Sequence, residues 1–459
     1  MKKQNDLALR MVQGYLPKEI LLFSLPLMLS NLLQVLFNMA DIAVVGRFSG
    51  PLALGAVGST ATAVTLFTGV LIGVGGGINV LVARYCGAGE MRKMRLTVHS
   101  AFLISLGVGV LFLLFGLFGS RPLLELLNTK DELIDDAALY MRIYFLGMPA
   151  LALYNFGSSV YGAVGDTKKP MYYMLLAGAV NVTLNLVFVI ALGMSVVGVA
   201  LASIISQYLS ATLVLFSLLK SREAFGLSLG EVRFYGNIGF DIIKLGIPSG
   251  MQNGIFYLAN LFIQAAVNSF DTVMVAGNSA AVNSDGLVFD LMMAVYTACG
   301  SFIGQNYGAG EYGRVKRSYL VSLAYSACIG VVVGGGLVLL GPQFLSLFTD
   351  DAEVVRAGMY RLTIMGLGYW LSAFMDCAIA ASRGLGKSVV PTVIVFLGSC
   401  VFRIIWIKTV FAYFGTVPSL YLLYIFSWTI TAIMENVYFV RVYKKATARA
   451  VKHAASTVA

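Results

Sequence analysis

Pro26-Leu-Met-Leu-Ser-Asn31 is answered 222 residues later by Pro248-Ser-Gly-Met-Gln-Asn253, and Gly87-Ala-Gly-Glu90 is answered 221 residues later by Gly308-Ala-Gly-Glu311. Gly165 with Pro170 returns as Gly386 with Pro391, again 221 residues on. Three separate landmarks in one register mark an internally duplicated chain, each copy nearly half of its 459 residues. Both copies are built from apolar runs of about 20 residues, the length that crosses about 30 Å of hydrocarbon.

Composition supports the bilayer as solvent. Hydrophobic residues make up 58% of the chain and charged residues 12%, about half the charged share of a soluble domain, which is roughly 25%. Apolar windows bounded by charge and by Gly or Pro predict spans at 18–46, 53–83, 96–119, 133–163, 170–194, 196–220, 241–269, 279–304, 318–348, 356–383, 389–414 and 418–442. The expected fold is an all-α polytopic membrane protein, with twelve transmembrane helices in two pseudo-symmetric six-helix lobes. The lobes are 1–220 and 241–459, the second ending in a short basic tail, and 221–240 is a cytoplasmic linker.

Basic residues crowd one set of loops, while only Arg47, Arg121, Lys130 and Arg356 fall in the other. That asymmetry places both termini in the cytoplasm of a bacterial-type plasma membrane. It also explains the net charge of +10 without nucleic acid, since the cations sit in short loops and at the ends. The first apolar run continues for a full span with no small-residue cleavage site, so no signal peptide is expected. The five cysteines have no metal or redox spacing. Because each copy has an even number of helices, the copies enter the membrane in the same direction. A cleft between lobes and alternating access by rocking are the expected consequences.

Ionisable residues inside a span are costly, roughly 2.5–3.5 kcal/mol on insertion scales, so each is a functional candidate. Asp41 lies about five residues from the outer end of the first span, roughly 8 Å deep. Gln34 and Asn38 share much of its helix face. A carboxylate among neutral polar groups in low dielectric can exchange a proton near neutral pH, and the same oxygens could bind sodium. The alternative is an interfacial acid paired with Arg47. Asn181 and Asn185, one turn apart on the fifth span, face alike and offer a partner site.

Asp41-Ile-Ala-Val-Val-Gly-Arg47, the repeated Gly-Ala-Gly-Glu, Gly165-Asp-Thr-Lys-Lys-Pro170 and the stretch from Asn181 to Gln207 together resemble the multidrug and toxic compound extrusion (MATE) family, closer to its DinF-like bacterial branch. The resemblance covers nearly the whole chain. It implies antiport, in which cationic or amphipathic organic compounds leave as protons or sodium ions enter. It also implies an acid at the position of Asp41. Proton-linked members of that branch carry a second acid where this chain has Asn185, so Asp41 would act with amide support alone. The helix-seven glutamate of the NorM-like branch is absent, Phe256 standing in the matching stretch. Asp376 is a candidate ion ligand, offset by about a turn from that branch's spacing to Arg383, or else a satisfied buried acid.

Depth arithmetic gives a second set. Counting 1.5 Å per residue, Asp285 and Asp290 on the eighth span lie roughly 9 and 17 Å below the outer surface, as do Lys408 and Arg403 on the eleventh. Pairs Asp290 with Arg403 and Asp285 with Lys408 are therefore expected, with independent snorkelling as the alternative. Glu435 is expected to be solvated or paired with Arg441, a cleft-lining role being the other reading. Gly73-Val-Gly-Gly-Gly77 lies inside a span without the Lys-Ser/Thr of a phosphate loop, so close helix packing is expected.

The leading functional reading is a secondary transporter. It exports small organic, cationic or amphipathic substrates against H+ or Na+, needs no cofactor or metal, contacts membrane lipid, and works as a monomer. A lipid-linked oligosaccharide flippase is the alternative. An intramembrane enzyme is disfavoured because no catalytic set shares one depth.

Overall fold

The computed structural model describes residues 9–127 and 129–458; the expectation of a cytoplasmic N-terminus falls in part on 1–8, outside that description. Among the described residues there is no strand. The long helices are α1 (Leu16–Phe48), α2 (Gly50–Gly87), α3 (Met91–Leu126), α4 (Asp131–Leu146), α5 (Met148–Ala163), α6 (Lys168–Ala191) and α7 (Ser195–Lys220). They continue with α8 (Gly236–Val267), α9 (Thr272–Gly308), α10 (Tyr312–Leu339), α11 (Ala352–Gly384), α12 (Val389–Phe414) and α13 (Val417–Val458). Ten of these are long and apolar enough to cross a membrane, and the bent pair α4–α5 makes an eleventh. The 32-residue α8 stands where the seventh span was expected.

The duplication is visible in the backbone. Gly89 and Gly310 both turn through positive φ, +69° and +76°, as do Gly165 and Gly386 at +90° and +79°. Only glycine adopts this region without strain, so both helix exits are set by the same residue at repeat-related positions. A π-helical turn at Leu186–Ala191 in α6 has its counterpart at Ile407–Phe411 in α12. The copies also differ, most plainly at one joint. Pro149 opens α5 and the chain bends by 44° between α4 and α5, whereas α11 runs straight through with Trp370 at the matching position. Proline has no amide hydrogen to give and crowds the preceding turn, which accounts for the break.

Two compact units divide the chain within helices. Leu29–Gly250 belongs to the first and Met251–Ala459 to the second, which also takes Leu9–Met28, so the divisions follow just after Pro26 and Pro248. Residues 221–240, expected as a linker, pack into the first unit. Arg95 forks onto Glu231 with two bonds of 2.7 Å. His99 Nε2 accepts from the Ser228 amide at 3.0 Å, and Phe225 and Leu227 are buried. The second unit holds the start of the chain in the same way: Ile20 and Phe23 pack on Ala298 and Phe302, and Arg314 donates to the carbonyls of Met11 and Gly14.

The glycine run of the second span packs helix on helix, as expected. A Cβ on Gly73 would lie 2.2 Å from the backbone of Gly250, and one on Gly77 would lie 2.6 Å from Gly246. Such backbone approach is how membrane helices associate when lipid is as apolar as leucine. Gly76, one residue away, faces open space. Gly73→Val and Gly250→Val should each lower the melting temperature and the monodisperse fraction in detergent, with Gly76→Val near wild type. Equal loss in all three would contradict the packing.

Candidate functional site

The first unit gathers a polar set around Asp41. Asn185 Nδ2 donates to Asp41 Oδ1, and Ser203 Oγ donates to Oδ2 at 3.5 Å. Asn185 also donates to Asn181 Oδ1 at 3.3 Å. Asn185 is fully buried and Asn181 nearly so, and Asn185 Oδ1 has no hydrogen-bond partner among the described residues. Asn185 is followed at once by the π-helical turn, a distortion frequent at functional sites. Tyr140 and Tyr144 stand within electrostatic range of the carboxylate. Asp41 thus meets Asn185 directly and Asn181 only through it, and Arg47 is not among its partners. Gln34 and Asn38 do not join it. Both are exposed on α1, and the partners come from α6 and α7. A single helix face specifies neighbours only along its own axis, so sequence alone could not find Ser203.

The second unit corrects the charge pairs. Asp285 is held by Arg361, at 2.5 Å, and by the Tyr369 hydroxyl, while Lys408 is exposed. Arg361, 3% exposed, also donates to Asn278 at 3.0 Å, and its guanidinium lies 5.4 Å from the ring centres of Tyr421 and Tyr424. Arg403, 2% exposed, donates to Ser427 and Asn260 and stacks 4.7 Å from the same Tyr424 ring, rather than turning to Asp290. The depth arithmetic failed because α9 begins at Thr272 instead of 279. That is seven residues, or about 10 Å of helix at 1.5 Å per residue, from the start assumed in the reckoning. Arg361 was visible as an intramembrane cation, but not as a partner.

Asp376 lies on α11 within electrostatic range of Arg383. Arg383 itself donates to the Tyr296 hydroxyl and, at 2.7 Å, to Gln252. Glu435 is neither solvated nor paired with Arg441: its exposure is 0%, and neither carboxyl oxygen has a hydrogen-bond partner among the described residues.

The sequence profile of the MatE family matches residues 26–187 and again 248–407, so each copy of the repeat is one family unit. The chain belongs to the MatE family, the multidrug and toxic compound extrusion transporters. Both MatE matches open on the repeat-related prolines Pro26 and Pro248. A probable multidrug resistance protein of Bacillus subtilis is 30% identical over 78% of this chain and 80% of its own. A probable multidrug resistance protein of Thermotoga maritima is 25% identical over 84% and 85%. An FAD transporter of Shewanella oneidensis is 24% identical over 76% and 78%. The structure of a MOP superfamily transporter from Pyrococcus furiosus shares the fold with TM-score 0.90, covering 96% of this chain and 98% of that one at 22% identity. This MatE chain is thus a multi-span membrane transporter.

Removing one member of a buried ion pair strands the other, at about 3–5 kcal/mol, whereas removing both is milder. Arg361→Gln should therefore melt well below wild type, and Arg361→Gln with Asp285→Asn should recover part of the loss. Lys408→Gln should melt like wild type. A destabilised Lys408→Gln alongside a stable Arg361→Gln would restore the depth-based pairing.

Proposed function

We propose that this protein is a secondary active exporter of small organic compounds, driven by antiport of a proton or sodium ion at Asp41. The supporting observation is the carboxylate of Asp41 inside a span, held only by neutral groups: the Asn185 amide and the Ser203 hydroxyl. With no fixed cation beside it in that set, the acid is suited to exchange a mobile one. The unpartnered Asn185 Oδ1 adds a second oxygen facing no donor. Asn181 completes the amide lining. Gln34 and Asn38, exposed on the same helix, fit an approach route to the acid rather than the site itself.

The relatives' names include both multidrug resistance and FAD transport, so the proposal is framed at the level of organic substrates, with cationic and amphipathic compounds the first to test. Both termini in the cytoplasm and function as a monomer belong to the same proposal, as does alternating access by the two repeats. The flippase reading asks for several uncompensated arginines, and the ion pair of Arg361 with Asp285 argues against it.

Everted vesicles or proteoliposomes given separate proton and sodium gradients test this directly. Wild type should move an organic cation only under the coupling gradient. Asp41→Asn should insert normally and drop to the no-gradient rate. Undiminished transport in Asp41→Asn would remove coupling from the first unit. Wild type that moves no compound under either gradient would sink the exporter reading.

A further inference from the structure

Two buried guanidiniums in the second unit face one aromatic ring. The centre of the Tyr424 ring lies 5.4 Å from Arg361 and 4.7 Å from Arg403. The two cations are not equivalent. Arg361 is neutralised by Asp285 at 2.5 Å. Arg403, midway along α12 and 2% exposed, forms no ion pair with a described acid: Nε donates to Ser427 at 3.1 Å and Nη1 to Asn260 at 3.3 Å. Only two N–H groups of a guanidinium that carries five are therefore engaged, both by neutral oxygens. Nη2 donates to no described residue, yet it is not among the buried atoms left without a partner, so it keeps accessible surface.

An uncompensated cation inside a span is costly, and such groups mark substrate or ion paths. The way in is polar. Asn260 is exposed on α8, and its Oδ1 takes two long bonds, 3.3 Å from Arg403 and 3.4 Å from the Tyr424 hydroxyl. A guanidinium and an oxyanion settle at about 2.7–2.9 Å, so a carboxylate or phosphate is the stronger acceptor and displaces the amide oxygen. Gln264 and Asn268 follow Asn260 at four-residue steps and are bonded to each other at 2.9 Å. They continue the polar face of α8 from the site to the helix end at Val267.

We propose that Arg403, with Asn260 and the Tyr424 hydroxyl, receives the carboxylate or phosphate group of an amphipathic organic anion, as a substrate subsite within the second unit. The inference rests on the exporter reading and names a substrate class for it. A bound monoanion brings the guanidinium to neutrality, the state that burial favours. Arg361 is not the ligand, because its two terminal nitrogens are committed to Asn278 and Asp285. Asp285 is likewise unable to serve Arg403, both its oxygens being held by Arg361 and the Tyr369 hydroxyl.

The test is fluorescence anisotropy of fluorescein, an aromatic carboxylate, titrated with the purified protein. Wild type should bind it saturably. Arg403→Gln should weaken binding about tenfold or more, the size of a lost charge-assisted contact. Asn260→Asp sets a carboxylate beside the guanidinium, so it should abolish binding while melting at or above wild type. Lys408→Gln, which removes an exposed cation of the same helix, should bind like wild type. No saturable binding by wild type, unweakened binding in Arg403→Gln or Asn260→Asp, or an equal loss in Lys408→Gln overturns the proposal. If Arg403→Gln does not fold, Asn260→Asp carries the test. Displacement of fluorescein by inorganic phosphate at matching concentration, or phosphatidylglycerol retained by wild type and not by Asn260→Asp in native mass spectrometry, overturns the assignment to an organic substrate. Gradient-driven ethidium efflux is read separately: its absence in wild type fails the exporter reading and leaves the anion site to the binding data.

Discussion

A bilayer offers no water to a backbone amide or a side-chain charge, so every polar group inside it must be satisfied within the protein. That constraint explains why the chain is helical throughout its spans, since a helix closes its own hydrogen bonds. It also explains why the few intramembrane charges occur in sets. Arg361, Asp285, Tyr369, Asn278 and Tyr421 hydrogen-bond to one another, with only Arg361 Nε of that guanidinium left without a partner among the described residues, and Arg403 is spread over Ser427, Asn260 and the face of Tyr424. Asn185 Oδ1 beside Asp41 and both oxygens of Glu435 are among the buried polar atoms left without a hydrogen-bond partner among the described residues.

Duplication supplied two copies of one scaffold, and the charges then diverged. The glycine exits and π-helical turns are retained in both copies. The acid is not: the position matching Asp41 is Ile263, a buried apolar residue. The second copy carries its acids on α9, α11 and α13, with arginines that have no counterpart around Asp41. One copy therefore presents a carboxylate held by an amide and a hydroxyl, and the other a guanidinium paired with an acid.

Much of the fold was legible because hydrophobic length and repeat register are properties of the chain taken one residue after another. Span order, the even split and the packing role of Gly73 and Gly77 follow from them. The candidate site was legible where residues on one helix face meet a partner of matching type, as Asp41 meets Asn185. Pairing across helices was not. Depth along the sequence pairs Asp285 with Lys408, yet a start seven residues earlier in one helix shifts a side chain by about two turns, or about 10 Å. Helical periodicity groups Gln34 and Asn38 with Asp41 on one face, while the hydrogen bonds to Asp41 come from neighbouring helices.

By itself the sequence determined that this protein lives in a membrane, that it is a tandem of two helical repeats, and that Asp41 is an acid where acids are costly. Those conclusions depend on transfer energies and periodicities, which act locally along the chain. Only the tertiary structure decided which charges are neutralised. It gave Asp285 to Arg361, placed Ser203 on Asp41, and left Glu435 without a donor. Such choices depend on separations of a few ångströms between helices far apart in sequence, and low dielectric makes those separations decisive.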